Sequence, residues 1–519
     1  MSVEPGPSEQ EDPAVANFLP PVPQVVLDRH GGRVLNPEEV WVARGWATPR
    51  STVYKANSLL VPQRIVGQVV GAFNDNEGTN ESGLMLTVDD RTPELGEYTA
   101  GLPRRVTVRR SEAPGANVVI DSWVALQYLR ESSGLDRAIA EQVTVEHLMF
   151  AGALQGSPWG VPWGVPWGVP WGVDWPGSSY LQGSSGPRPV SLVMAPPPPQ
   201  QVDRRPVVAV LDTGLDPHPW FGLVDRSTPL PPDGFLLASK DLQPPNLPDP
   251  WAGPAVDNPL IGQIEPAAGH GTFIAGLIRQ TEPSSRVLVV RVMHNDGIAE
   301  EADVAYALTA LADRVDKAQR AYAAASTTKE KQAAAKHMVD IVSLSLGFFA
   351  DSTPTSGTFL IALTEILEKL RKLGVLVVAA AGNDSTTRRF YPAALADTPT
   401  TCPGAPQVVS VGALNPNGTE ALFSNGGGWV VNWQLGGNVV STYPPLNGAQ
   451  EADFDVTDRR EGLDPDDFSG GFAEWRGTSF AAPLAAARLA SAIIKDKSLA
   501  EVDTTTTIAR AERARKELK

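Results

Sequence analysis

The stretch Gly477-Thr478-Ser479-Phe480-Ala481-Ala482-Pro483 sets a serine between small residues at the mouth of an apolar helix, which exposes one hydroxyl as a nucleophile. Two further stretches lie upstream. Val207 to Leu211 is an apolar run that reads as a buried β-strand and ends in Asp212-Thr213-Gly214. Gly269-His270-Gly271-Thr272 leads into a second apolar run, Phe273 to Ile278. Leu373 to Asn383 is another buried strand, ending in Gly382-Asn383. Taken singly, each has a plain reading: a turn, a strand-end cap, a helix start or a loop. Together they put an acid, a base and a hydroxyl on the ends of regular elements.

The order Asp212, His270, Ser479 resembles that of the subtilisin-like serine proteases, over roughly residues 202 to 495. The resemblance implies an α/β catalytic domain, a mostly parallel sheet with helices on both faces. It also implies roles. His270 is the general base that takes the Ser479 proton and later gives it to the leaving amine. Asp212 holds the imidazole tautomer and stabilises the imidazolium. Asn383 supplies the side-chain donor of the oxyanion hole, beside the Ser479 backbone N–H. Ser343-Leu344-Ser345-Leu346-Gly347 resembles the extended segment that pairs with substrate backbone, making Ser345, Leu346 and Gly347 substrate-binding residues. Phe390, before Tyr391-Pro392-Ala393, falls at the base of the pocket for the side chain on the acyl side of the cut. A phenyl ring there favours small or medium side chains, whereas Arg388 and Arg389 beside it would attract an acidic one. His218 follows the aspartate motif too closely to be the base and is expected to be structural.

A chain of 519 residues exceeds one ordinary domain. Its formal charge of −16 argues against nucleic acid or an anionic membrane as the main partner, since both attract basic surfaces. The single cysteine, Cys402, excludes an internal disulfide framework and is expected to be a small buried residue. No apolar run approaches a membrane span, and Met1 to Pro23 lacks the basic and apolar regions of a secretory signal, so a cytoplasmic location is expected. No metal or cofactor is expected. The run from Phe273 to Val292 leaves no room for a calcium-binding loop common in the resembled family, so strong calcium dependence is not expected.

Five regions follow. Residues 1–45 read as a flexible, proline-rich leader. Over 50–152, strand, helix, strand, strand, helix, strand is the ferredoxin-like order: Tyr54 to Val61, the helical spacing of Ile65, Val66, Val69, Val70 and Phe73, then Leu84 to Val88, Arg105 to Val108, the helix around Trp123, and Val143 to Phe150. The family resemblance makes this small α+β unit a propeptide-type domain, with Met149 to Gln155 lying product-like in the cleft and cut there by the enzyme itself; an unrelated docking domain is the alternative. Residues 153–201 are a linker in which Pro-Trp-Gly-Val occurs four times between Pro158 and Val173, followed by Pro196 to Pro199. Proline at every fourth position forbids a stable helix, so an extended or turn-rich ribbon is expected, either a grip for a protein partner or an expanded linker. Residues 202–495 form the catalytic domain and 496–519 a charged helical tail.

Two stretches depart from the resembled pattern. Ala312 to His337 reads as a helical insertion, and Tyr443 to Trp475 as an acidic loop beside the cleft or in solvent. The function expected is peptide-bond hydrolysis of a protein or peptide through an acyl-enzyme on Ser479. The same acyl-enzyme given to an amine would make a peptide ligase or macrocyclase, and a silent peptide-binding scaffold is a third reading.

Overall fold

A computed structural model describes residues 15, 17–91, 95–111, 118–152, 186–223, 225–230, 234–253, 256–258, 263–352, 361–398, 404–446 and 468–518. The tryptophan repeat, Cys402 and most of the acidic loop lie outside these residues. Among the described residues, no helix is long and apolar enough to cross a membrane.

The N-terminal unit begins earlier than its strand signals suggest. Gln24–His30 forms helix α1, closed by Gly31 in the left-handed region (φ 61°), and Gly32–Leu35 forms strand β1. Strand β1 pairs antiparallel with Thr52–Pro62 (β2). The flexible-leader expectation is thus corrected for this part of the chain: Val26 and Leu27 bury apolar area that a free leader would leave in water. Beyond β2 come α2 (Val66–Asn74), β3 (Leu84–Val88), β4 (Pro103–Arg110), α3 (Ser122–Ser132) and β5 (Thr144–Ala151). Pairing runs β5-β2-β4-β3, every neighbour antiparallel. The inner faces of these strands enclose Leu59, Val61, Leu84, Leu86, Val106 and Val145, and α2 and α3 add Phe73, Trp123 and Leu126. Asp121 caps α3 by accepting from the backbone N–H groups of Trp123 and Val124.

The C-terminal unit is built on a seven-stranded parallel sheet. Its strands are β6 (Val207–Asp212), β7 (Leu236–Ala238), β8 (Arg286–Arg291), β10 (Ile341–Leu344), β12 (Leu376–Ala380), β13 (Val409–Leu414) and β14 (Asn432–Leu435), in the order β14-β13-β12-β10-β6-β8-β7. Two short strands, β9 (Ile298–Glu300) and β11 (Leu346–Gly347), stand outside it. A strand covered on both faces needs apolar residues at every position, and β6 is buried throughout. One face meets α4 (His270–Thr281) and α7 (Thr478–Lys495), through Phe273, Ile274, Phe480 and Leu489. The other meets α5 (Glu301–Ala324) and α6 (Ile361–Lys372), through Val304, Leu308, Leu367 and Leu370. The stretch read as a helical insertion from Ala312 is the continuation of α5, with Val315 and Ala318 still in the core, followed by a separate helix at Thr328–Ala335. The tail forms α8, Thr504–Glu517, capped by Asp503.

Candidate active site

The acid stands on the last residue of β6. Asp212 Oδ1 accepts from the Thr213 backbone N–H (2.8 Å) and lies 2.7 Å from His270 Nδ1. His270 is the first residue of α4, and two glycines allow that approach. Gly269 caps the helix with φ 75°, and a Cβ on Gly271 would lie 2.2 Å from the Gly214 carbonyl oxygen, so any other residue would push the two motifs apart. Thr213 Oγ1 accepts from the Gly271 N–H at 3.0 Å, and Thr272 Oγ1 from that of Asp216 at 2.9 Å. Both His270 and Asp212 are buried. The Trp475 and Phe480 rings stand against the imidazole, with centroids 5.6 and 5.2 Å away, and keep water from that side. His270 Nε2 has no hydrogen-bond partner among the described residues.

Ser479 is the second residue of α7, so its backbone N–H is one of the free donors at a helix start, where the helix dipole also favours negative charge. Its hydroxyl donates to the Ser345 carbonyl at 3.2 Å in this structure. Pro483, four residues on, has no N–H to give the Ser479 carbonyl, and the Ser345 hydroxyl takes that place at 2.8 Å. The helix-breaking residue of the serine motif therefore joins the nucleophile to the substrate-binding segment. Asn383 Oδ1 accepts from the Thr478 N–H (2.8 Å) and hydroxyl (2.9 Å), and Thr478 Oγ1 accepts from Gly382 N–H (3.0 Å). With its oxygen occupied in this way, the Asn383 amide presents Nδ2 as donor.

The cleft is filled by the chain itself. Strand β5 leaves the N-terminal sheet and runs antiparallel between β9 and β11: Leu148, Met149 and Phe150 oppose Glu300, Ala299 and Ile298, while Phe150 and Ala151 oppose Gly347 and Leu346. Beyond it the Gly152 N–H donates to the Ser345 carbonyl at 3.0 Å. A Cβ on Gly152 would lie 2.8 Å from Ser479 Oγ. Ser345, Leu346 and Gly347 are therefore the backbone partners of this segment. Residues 153–155 of the segment expected in the cleft lie outside the described residues. The opposite wall, β9, was not found by sequence reasoning; the turn signal Asn295-Asp296-Gly297 before it, with Gly297 at φ 83°, was available.

Around this strand the two units meet through charge. Cations of the N-terminal unit face carboxylates of the C-terminal unit: Arg29 with Glu265 (2.9 Å) and Asp296 (3.0 Å), Lys55 with Glu300, Arg105 with Glu300 (2.7 Å), and His147 with Glu301 (2.7 Å) and Asp351 (3.4 Å); the His30 ring lies 2.7 Å from Asp296. Burial alone would lower the His147 imidazole, but Glu301 and Asp351 outweigh it and hold its pKa at about 10. Burial pushes the Asp303 carboxyl up to about 7 against the pull of Arg105.

Arg388 and Arg389 do not face the pocket. The Arg388 guanidinium is buried and donates to the carbonyls of Phe18, Ser51 (2.6 Å) and Ala350 (3.1 Å), and Arg389 pairs with Asp397 (2.5 Å). The expectation that they attract an acidic side chain is corrected accordingly. His218 lies apart from the triad. Its Nδ1 accepts from the Trp220 N–H, its Nε2 donates to the Gly471 carbonyl, and burial lowers its pKa to about 4.

An imidazole paired with a carboxylate and a helix-start serine beside Asn383 are the residue types a serine hydrolase site requires, carried here on a parallel α/β sheet. The family model for the Subtilase family matches residues 203–518, and the chain belongs to that family. Subtilisin BL of Lederbergia lenta is 29% identical over 250 residues, 47% of this chain and 71% of its own length. An alkaline protease of Alkalihalobacillus alcalophilus is 28% identical over 250 residues, 47% of this chain and 50% of its own. Among solved structures, a mutant of the protease domain of PatA aligns with 21% identity and a TM-score of 0.37, covering 60% of this chain and 92% of that one.

Proposed function

We propose that this chain is a serine endopeptidase that cuts itself after Gly152 and is then held inactive by its own N-terminal domain. The observation that carries this reading is the lie of Gly152: it directly follows a strand paired on both sides in the cleft, donates to the Ser345 carbonyl and lies against the Ser479 hydroxyl. In the first step Ser479 Oγ leaves the Ser345 carbonyl and adds to the Gly152 carbonyl carbon, while its proton passes to His270 Nε2, with Asp212 holding the imidazolium. The oxygen that gains charge is met by Asn383 Nδ2 and the Ser479 N–H. The carbon–nitrogen bond to residue 153 then breaks, and the amine leaves with the proton from His270. Water, deprotonated by the same imidazole, cleaves the ester and frees the Gly152 carboxylate. The new end remains in the cleft because the strand pairing and the ionic contacts survive the cut. Protein or peptide substrates gain the same path once the N-terminal domain leaves.

Intact mass spectrometry of the full chain tests this. Wild type is expected as two pieces that separate after Gly152, and Ser479→Ala as one of full length. A wild-type chain that stays whole under conditions of native folding contradicts self-cleavage and favours a silent scaffold.

A further inference from the structure

Resting on that protease reading, the geometry points to a further restriction: we infer that the enzyme cuts after glycine, because Phe390 closes the slot that would take a side chain at the acyl side of the bond. A Cβ added at residue 152 would lie 2.8 Å from Ser479 Oγ, 3.2 Å from Thr478 Oγ1 and 3.5 Å from the Ala380 Cβ, so a side chain there starts beside the Ala380-to-Gly382 segment, with Ser345-to-Gly347 pairing the backbone across from it. Both segments end in a glycine, an arrangement that would leave an open slot. The Phe390 ring occupies that space. A Cβ on Gly347 would come within 2.4 Å of the ring and one on Gly382 within 3.1 Å. The ring is 2% exposed and is backed by Phe349 at 5.2 Å between centroids, so it has no free volume to swing into.

The chain's own cleft segment fits this shape. Met149-Phe150-Ala151-Gly152 puts a residue without a side chain where the ring closes the slot. Grip comes from elsewhere: Met149 is fully buried in the apolar cluster that holds Ala299, Val304 and Phe348. The substrate class is therefore a chain with a large apolar residue three positions before a glycine, cut on the carboxyl side of that glycine.

Self-cleavage of full-length Gly152→Ala, Gly152→Leu and Gly152→Phe, followed by intact mass, tests the inference. Alanine is expected to slow the cut about tenfold and leucine or phenylalanine about 100-fold or more, as for side chains too large for a closed pocket. Adding Phe390→Gly to Gly152→Leu is expected to restore cutting at the same bond. Because Phe390→Gly removes a buried ring and the chain carrying it is at risk of misfolding, a second measurement uses the self-processed wild-type protein at alkaline pH, where the N-terminal domain is expected to leave the cleft. Two peptides that differ only in glycine or leucine after Met-Phe-Ala are compared by kcat/KM, with glycine favoured about 100-fold. Equal or faster cutting after leucine, in either experiment, overturns the glycine restriction while leaving the protease reading intact. A wild-type chain that neither cuts itself nor takes a fluorophosphonate overturns both.

Discussion

The interior of the catalytic sheet and the boundary between the two units are built from opposite materials. The central strands β6, β10 and β12 are mostly apolar and buried along their whole length between two layers of helices; Asp212 stands on the end of β6, and His270 and Ser479 on the starts of two helices packed against the sheet. The boundary is a strand addition ringed by buried ion pairs. Apolar burial is stable across pH and salt, so it suits groups that must stay placed through many turnovers. A buried ion pair gives little net stability when complete, yet removal of one partner is costly, so such a boundary holds by matched charge and fails sharply when the match is broken. The central strands of the sheet are thus held mainly by apolar contact, and the boundary by strand pairing and matched charge.

The comparison is tested most severely inside the sheet. Asp212→Asn leaves the imidazole without its orienting carboxylate and is expected to lower kcat about 10⁴-fold with the fold retained, as in serine-protease triads; circular dichroism beside a peptide assay checks both halves. A loss below tenfold breaks the claim that Asp212 orients His270. Next comes Asn383→Ala, expected to lower kcat about 10²–10³-fold with little change in KM, the range known for this donor in subtilisin. Its side chain also anchors Thr478, so Thr478→Val is expected to lower kcat less than the asparagine change does, by loosening the amide.

At the boundary, Arg105→Ala leaves Glu146, Glu300 and Asp303 facing one another. It is expected to weaken the hold of the cut N-terminal domain by about 3–5 kcal/mol, read as the inhibition constant of that domain in trans. The same change is expected to leave the rate on peptides by the freed catalytic part unaltered. The smallest effect is that of pH. The His147 pKa is raised in the complex, so its contribution is fully present below its ordinary value near 6.5 and is lost as pH climbs through about 10. The N-terminal domain is therefore expected to dissociate faster at pH 9 than at pH 6, and His147→Gln is expected to flatten that slope. Faster release at pH 6 contradicts the assignment.

Much of the catalytic unit was legible in the sequence because its signals are local. A run such as Val207 to Leu211 declares a strand covered on both faces, and glycines beside Asp212 and His270 declare backbones that must touch. The segment Leu84 to Val88 was readable for the same reason. What sequence reasoning missed depends on partners far along the chain. Gln24–His30 looked like a loose leader because its burial comes from Leu148 and Ile298, and the fate of Arg388 depends on carbonyls at Phe18 and Ser51. The second wall of the cleft, Ile298–Glu300, is three residues long and carries no periodicity of its own. The bond between Ser345 and Ser479 through the carbonyl that Pro483 leaves free has no sequence signal beyond the proline itself.

If Asp212, His270 and Ser479 act together, they make one oxygen acylatable. Reaction of the self-processed protein with a fluorophosphonate at alkaline pH, followed by peptide mass mapping, measures this directly. One adduct is expected, on Ser479, absent in Ser479→Ala and strongly slowed in His270→Ala. An adduct on another residue, or equal labelling after the histidine is removed, would contradict it.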